Sequence, residues 1–238
     1  MQRKFPAILT AAISGLCTST AAAEASAAPV LVPASFNDGG RSLQNRISFP
    51  RVKGDVSVSI LCGARLDQSG EILDNYCWNL TDDRMGFVKA INRVTDQVRL
   101  TPATVDGVTA PVWFQYSIEF RKLGEEEQIA VFPNWGFNRE QYGIDYIGPQ
   151  LYDAPRRSMT CTVNQSFMVS MNIGADGTIT DPEIISGEPT DECRRRFLNF
   201  VPSASYIPAH ADGQPVATMC VDFWFNSVPR WTGRRRWN

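Results

Sequence analysis

From Val56 the chain alternates. Val56, Val58, Ile60, Cys62, Ala64 and Leu66 are apolar, while Ser57, Ser59, Gly63, Arg65 and Asp67 are polar or small, and only Leu61 interrupts the polar side. Two-residue periodicity over such a length predicts a strand with one buried face. Asp67-Gln68-Ser69-Gly70 supplies a turn, and Glu71 to Leu80 returns with Ile72, Tyr76, Cys77 and Trp78, which predicts a hairpin. Met85, Phe87, Val88, Ile91 and Val94 then recur at helical spacing behind the capping pair Asp82-Asp83, and Pro102 forbids continuation. A third alternating run, Val112 to Phe120, follows Pro102-Ala103-Thr104-Val105-Asp106-Gly107. It places Val112, Phe114, Tyr116, Ile118 and Phe120 on one face and Trp113, Gln115, Ser117 and Glu119 on the other.

The same order returns about a hundred residues later. Val163, Gln165, Phe167, Val169, Met171 and Ile173 alternate with polar neighbours, Gly174-Ala175-Asp176-Gly177 turns, and Thr178 to Ser186 returns. Thr190 is a suitable N-cap with Asp191 and Glu192 in the first turn, and Cys193, Phe197, Phe200 and Val201 form an apolar stripe behind it. Pro208-Ala209-His210-Ala211-Asp212-Gly213-Gln214-Pro215 then leads into the run from Val216 to Phe225. On polarity, Met219, Val221, Phe223 and Phe225 face inward and Cys220 faces outward. Gly70-Glu71-Ile72-Leu73-Asp74 matches Gly177-Thr178-Ile179-Thr180-Asp181. The repeat is too long and too few in number for a solenoid, so the expectation is a tandem duplication of one β-β-α-β unit, an α+β fold. Each unit would be a three-stranded antiparallel sheet with a helix packed on one face.

Domain boundaries follow from these runs. Residues 1–23 read as a signal peptide, 24–51 as a flexible leader rich in Ala, Ser, Pro and Gly, and 52–123 as the first unit. Residues 124–157 form a connector, 158–227 the second unit and 228–238 a basic tail. The connector contains Phe132, Pro133, Trp135, Tyr142 and Tyr146, a composition for packing over one unit or between the two rather than for a free linker.

The N-terminus sets the compartment. Arg3 and Lys4 precede a short apolar stretch from Phe5 to Leu16 and the small residues Ala21-Ala22-Ala23, the layout of an export signal cleaved after Ala23, with Ala27 the alternative. Thr10, Ser14, Thr18, Ser19 and Thr20 dilute the segment too much for the alternative, an uncleaved span of about 20 apolar residues. With 238 residues, 43% of them hydrophobic, the chain has material for one or two cores. Losing Arg3 and Lys4 takes the formal charge from -2 to -4. Such a balance excludes general nucleic-acid affinity, which needs a basic face against phosphates. Arg194-Arg195-Arg196 and Arg234-Arg235-Arg236 read as a solvated helix face and a solubilising tail, with contact to anionic lipid or lipopolysaccharide phosphates as the other use.

Each unit resembles the C-terminal domain of TonB-type energy transducers. The second carries the resemblance better, through Asp176-Gly177-Thr178-Ile179-Thr180-Asp181 and Pro208-Ala209-His210-Ala211-Asp212-Gly213-Gln214-Pro215-Val216. The resemblance implies a three-stranded sheet with helices on one face. It further implies a final strand at a sheet edge that can take a partner peptide by strand addition. That edge would be Val216 to Phe225 or Val112 to Phe120, with Thr218, Cys220, Asp222 and Trp224 on the outer face of the former. The family's transducers carry an uncleaved anchor and a long Pro/Lys-rich spacer, which this sequence lacks. The expectation is therefore an exported periplasmic binding or adaptor protein with a protein or peptide partner in the envelope. An inner-membrane-anchored energy transducer and a structural envelope protein are the alternatives.

Five cysteines remain after the signal, in a compartment where disulfides persist. Aligning the units places Cys62 and Cys77 on core-facing positions of adjacent strands, so they are the first expected bridge. The same topology brings Cys193 close to Cys161, leaving Cys220 unpaired and available for a dimer. No metal site, cofactor or catalytic residue is expected: there is no Cys-x-x-Cys pair, and the single histidine, His210, sits within the turn motif as an exposed loop residue. Asp74, Asp106, Asp181 and Asp212 fall at repeated turn positions and read as structural rather than as acid and base. An enzyme is not expected.

Overall fold

The computed structural model describes residues 28–37, 43–79, 86–153 and 166–225. The expectations of an export signal, an Asp82-Asp83 cap, a Cys161 bridge and a basic tail fall outside those residues. The chain begins with two short strands, β1 (Leu31–Val32) and β2 (Ser35–Phe36), and one helical turn, α1 (Leu43–Arg46). The first hairpin follows as β3 (Val56–Leu66) and β4 (Ile72–Asn79). Behind it stand α2 (Phe87–Asn92), β5 (Leu100–Thr101), β6 (Ala103–Val105), β7 (Val108–Ala110) and the long β8 (Val112–Leu123). The connector contributes β9 (Glu126–Phe132), α3 (Arg139–Tyr142) and β10 (Gln150–Asp153). The second half consists of β11 (Ser166–Ile173), β12 (Ile179–Ser186), α4 (Asp191–Phe200), β13 (Ser205–Ile207), β14 (Ala209–Ala211), β15 (Gln214–Val216) and β16 (Thr218–Phe225).

The molecule is α+β with antiparallel sheets. The second half forms the expected three-stranded sheet, in the order β12-β11-β16. The first half does not stop at three strands. Its sheet runs β13-β10-β8-β3-β4, with β9 also paired to β8, so the connector and β13 of the second half complete it. The two halves therefore share backbone hydrogen bonds and are not two separate sheets.

The leader is not a flexible lead-in either. β1 pairs with β6 and β2 with β5, while Ala34, Leu43 and Ile47 are buried in the first core. Gln150 makes a reciprocal amide pair with the Ala34 backbone, Nε2 donating to the Ala34 carbonyl and Oε1 accepting from its N–H, both at 2.8 Å. A composition of small residues and proline says how the unfolded segment behaves. It does not reveal the unpaired backbone of the Pro-Ala region, which needs a strand beside it.

Turn chemistry recurs in both halves. Asp106 and Gly107 sit at φ 51° and 77°, and Asp212 and Gly213 at 50° and 74°. Two consecutive residues in the left-handed region make the tight hairpin that joins strands without splaying them. Gly70 and Gly177, also at positive φ, lie against the chain just before each Pro-Ala turn. A Cβ on Gly70 would land on the Leu100 carbonyl oxygen, and one on Gly177 on that of Tyr206. Asp74 and Asp181 are not turn residues: Asp74 lies in β4, paired to Arg65 at 2.6 Å, and Asp181 is a positive-φ position inside β12. His210 is half-buried in β14 rather than exposed in a loop, paired with Pro215 of β15 on one side and bridged to Ile147 on the other.

Three apolar layers result. Ile60, Cys62, Ala64 and Leu66 of β3 and Phe114, Tyr116, Ile118 and Phe120 of β8 pack against Phe87 and Ile91 of α2. Phe167, Val169, Met171 and Ile173 pack against Cys193, Phe197 and Phe200 of α4, whose first turn is capped by Thr190 Oγ1 accepting from the Cys193 N–H at 3.3 Å. Between the sheets, on the faces away from both helices, Leu61, Trp135 and Val221 are buried with Met168 and Phe223 against them. Leu61, the one residue that broke the alternation of β3, is thus an inter-sheet contact.

Cys62 and Cys77 face each other across β3 and β4 and form a disulfide. Cys193 is also disulfide-bonded, to a partner outside the described residues.

Candidate functional site

The sequence leaves open whether the final strands keep free edges or are covered by the connector, and connector residues lie along both. β8 is interior, with β3 along one side and β9 and β10 along the other. Among the described residues β16 pairs on one side only, with β11, and side chains from elsewhere in the chain occupy its other side. Tyr142 Oη donates to the Ala217 carbonyl at 2.7 Å, Asn138 Nδ2 to the Met219 carbonyl at 2.8 Å, and Gln115 Nε2 to the Val221 carbonyl at 3.0 Å. Alternate carbonyls of a strand point the same way, so these three are the successive outward acceptors of the edge. The donors come from α3, the residue before it, and β8.

Arg139 pins the connector against the first sheet. Its guanidinium reaches Glu119 Oε1 and Ser117 Oγ, each at 2.7 Å, and Asn134 Oδ1 at 3.1 Å, and it lies 4.1 Å over the Phe132 ring. Ser117 and Asn134 are fully buried, and the Ser117 hydroxyl donates to the Asn134 carbonyl at 2.7 Å. Asn134 Nδ2 in turn donates to the carbonyls of Ile144 and Tyr146. One residue on, Trp135 Nε1 donates to the Cys62 carbonyl at 2.7 Å, and its ring meets Phe223 edge-on at 5.9 Å. The capping donors Asn138 and Tyr142 are held by this frame.

The faces of β16 are the reverse of those expected from polarity. Cys220 is 3% exposed, within the core beside α4, and Thr218 is 5% exposed, whereas Met219 is 42% exposed. Val221 and Phe223 face the other sheet, which is why that side of the strand is apolar. Burial also removes the basis for a dimer through Cys220, which is free but inside the protein. The side chain of Trp224 lies outside the described residues, although its backbone pairs with Phe167.

Asp222 is the chemically unusual residue of this seam. Its Oδ1 accepts from the Phe223 N–H at 2.8 Å and from Gln115 Nε2 at 3.1 Å, and its Oδ2 accepts from the Tyr206 hydroxyl at a long 3.4 Å. Burial of the carboxyl outweighs those hydrogen bonds and pushes its pKa up to about 6. Burial, reinforced by the negative charge of Asp222, likewise raises the neighbouring Tyr76 and Tyr206 phenols and the Cys220 thiol. A thiol with raised pKa is a poor nucleophile. Among the described residues no group of three or more His, Cys, Asp and Glu side chains is placed to hold a metal ion.

A small antiparallel sheet with one helix on its face, closed by an Asp-Gly hairpin and an edge strand, makes the second half an α+β unit. Residues 154–226 match the family model of the Gram-negative bacterial TonB protein C-terminal, so the second half carries a TonB C-terminal-like domain. No curated protein and no solved structure matches the chain. No described helix is long and apolar enough to cross a membrane.

Proposed function

We propose that this protein is an exported envelope protein built from two TonB C-terminal-like copies, and that it binds a protein partner at the edge of its final strand without catalysing a reaction. The family match supports the second copy. The equivalent placement of Gly70 and Gly177, and of the two Asp-Gly turns, supports the first. Export to the periplasm rests on the N-terminal pattern of Arg3, Lys4 and the apolar run to Leu16, and the Cys62–Cys77 disulfide suits an oxidising compartment.

The observation that carries the binding role is the capping of β16 by side chains rather than by another strand. Single side-chain donors are exchangeable for the backbone donors of an incoming segment, whereas a paired strand such as β8 is closed to it. The self-contact keeps the edge from non-specific pairing and sets a threshold that a matching partner exceeds. Site-specific photo-crosslinking from Met219 in intact cells tests this. The expected result is a discrete adduct with one envelope protein, stronger in an Asn138→Ala/Tyr142→Phe variant. Adducts confined to the chain itself in both proteins would refute the role. N-terminal sequencing of the exported protein is expected to begin near Glu24.

A further inference from the structure

On the outer side of the first sheet, where residues 48–51 cross α2, lies a depression of about 420 Å³. Phe49, Ala90 and Val94, which also pack on the first core, form its apolar base. Around this base stand three cations, Arg51, Lys89 and Arg93, with Ser48 beside them, and among the described residues no carboxylate lines it. Its neighbour, lined by Arg46, Glu71, Asp96, Gln97 and Arg99, mixes both signs and holds the Arg99–Glu71 ion pair at 3.4 Å. Arg65, Lys122, Arg139 and Arg196 are likewise paired with Asp74, Glu127, Glu119 and Glu192. Arg51, Lys89 and Arg93 make no ion pair among the described residues, and all three side chains are exposed.

Three unpaired cations brought together cost repulsion, which an anion relieves, and Arg and Lys are the side chains that hold phosphate oxygens by charge-assisted hydrogen bonds. An apolar base directly beneath them adds a seat for a non-polar part of the same ligand. We propose that this depression is a binding site for a phosphate group, either free or as the headgroup of an amphiphile. The formal charge of the whole chain is -2, so its overall field opposes an anion and the attraction has to be local. The site lies on the α2 face of the first sheet, opposite the seam with β16, and is independent of the binding role proposed for that edge.

The test uses the full exported chain, titrated with inorganic phosphate and, separately, with vesicles of phosphatidylglycerol or of phosphatidylcholine. Wild type is compared with Arg51→Ala/Lys89→Ala/Arg93→Ala and with Arg194→Ala/Arg195→Ala, which removes two exposed cations of α4 instead. Thermal unfolding within a few degrees of wild type verifies that each variant is folded. The site predicts at least a tenfold loss of affinity in the triple variant and less than a twofold loss in the α4 variant. Binding of inorganic phosphate marks a soluble phosphate ligand, and binding of phosphatidylglycerol vesicles alone marks a lipid headgroup. Failure of wild type to bind either, or equal loss in both variants, would overturn the proposal.

Discussion

Asp222→Asn changes one oxygen to an amide and removes the charge from the seam between the sheets. The carboxyl titrates at about 6 in the folded protein against an ordinary 3.8. Keeping it ionised at high pH then costs the fold about 3 kcal/mol, an upper bound because water reaches part of the residue. The direction follows from linkage: a raised carboxyl binds its proton more tightly when folded. The ionised form therefore destabilises the fold above about pH 6, and this cost disappears as pH falls through 6 toward 4. Asp67 works the other way. Desolvation would raise it, but the Glu71 N–H together with the Ser69 hydroxyl and N–H holds it low, so it favours the fold until pH drops below the ordinary carboxylate range. Asp176, held low by the Thr178 hydroxyl and N–H, acts in the same window as Asp67.

The phenols of Tyr76 and Tyr206 and the thiol of Cys220 stay neutral across the range. The one histidine, His210, is common to both proteins and cancels in the difference. Urea unfolding at pH 8, 6 and 4.5, with disulfides intact, should find the Asn variant more stable than wild type by about 1 to 3 kcal/mol at pH 8. The gap should shrink to about a third of that by pH 4.5, where the folded carboxyl is protonated but the unfolded one is still mostly ionised. A variant less stable than wild type at pH 8, or a gap that does not change with pH, would refute the buried-charge reasoning.

Trp135→Ala should cost about 3 to 5 kcal/mol, because it empties the layer between the sheets and strips the Cys62 carbonyl of its donor. The check is denaturant unfolding together with faster hydrogen exchange in β16. Gly177→Ala should destabilise by well over 1 kcal/mol, since the residue sits at φ +81° and its new Cβ meets the Tyr206 carbonyl oxygen. Asp212→Ala, at a position with positive φ but open to solvent, should cost less than Gly177→Ala in the same thermal assay.

The strands, the turns and α4 were legible because each carries a local signal: strict alternation, an Asp-Gly pair, or a Thr190 cap with an apolar stripe. The facing of β16 was not. Its α4 side holds Cys220 and its other side Val221 and Phe223, and polarity alone assigns the apolar side to the nearest helix. Position within the repeat held the better clue, since Cys220 stands after Pro208 as Phe114, a core residue, stands after Pro102. α2 came out shorter than its spacing suggested, starting only at Phe87 after a left-handed Gly86. The shared sheet was invisible for a different reason. Pairing of β10 with β13 and of β9 with β8 is decided by which backbone edges remain open after the hairpins form, and no residue type announces that. The capping donors Asn138 and Tyr142 look like ordinary connector residues until Arg139 fixes α3 beside β16.

Self-capping of the final strand is the claim on which the rest depends, and hydrogen–deuterium exchange over residues 217–223 measures it. An edge strand bonded on one side alone frays, so the caps must contribute to its protection. The amides of Thr218, Cys220 and Asp222, which alternate with the capped carbonyls and face β11, should exchange slowly in wild type and at least tenfold faster in a Gln115→Ala/Asn138→Ala/Tyr142→Phe variant, while β12 and β8 keep their protection. Equal rates in the two proteins would contradict the account.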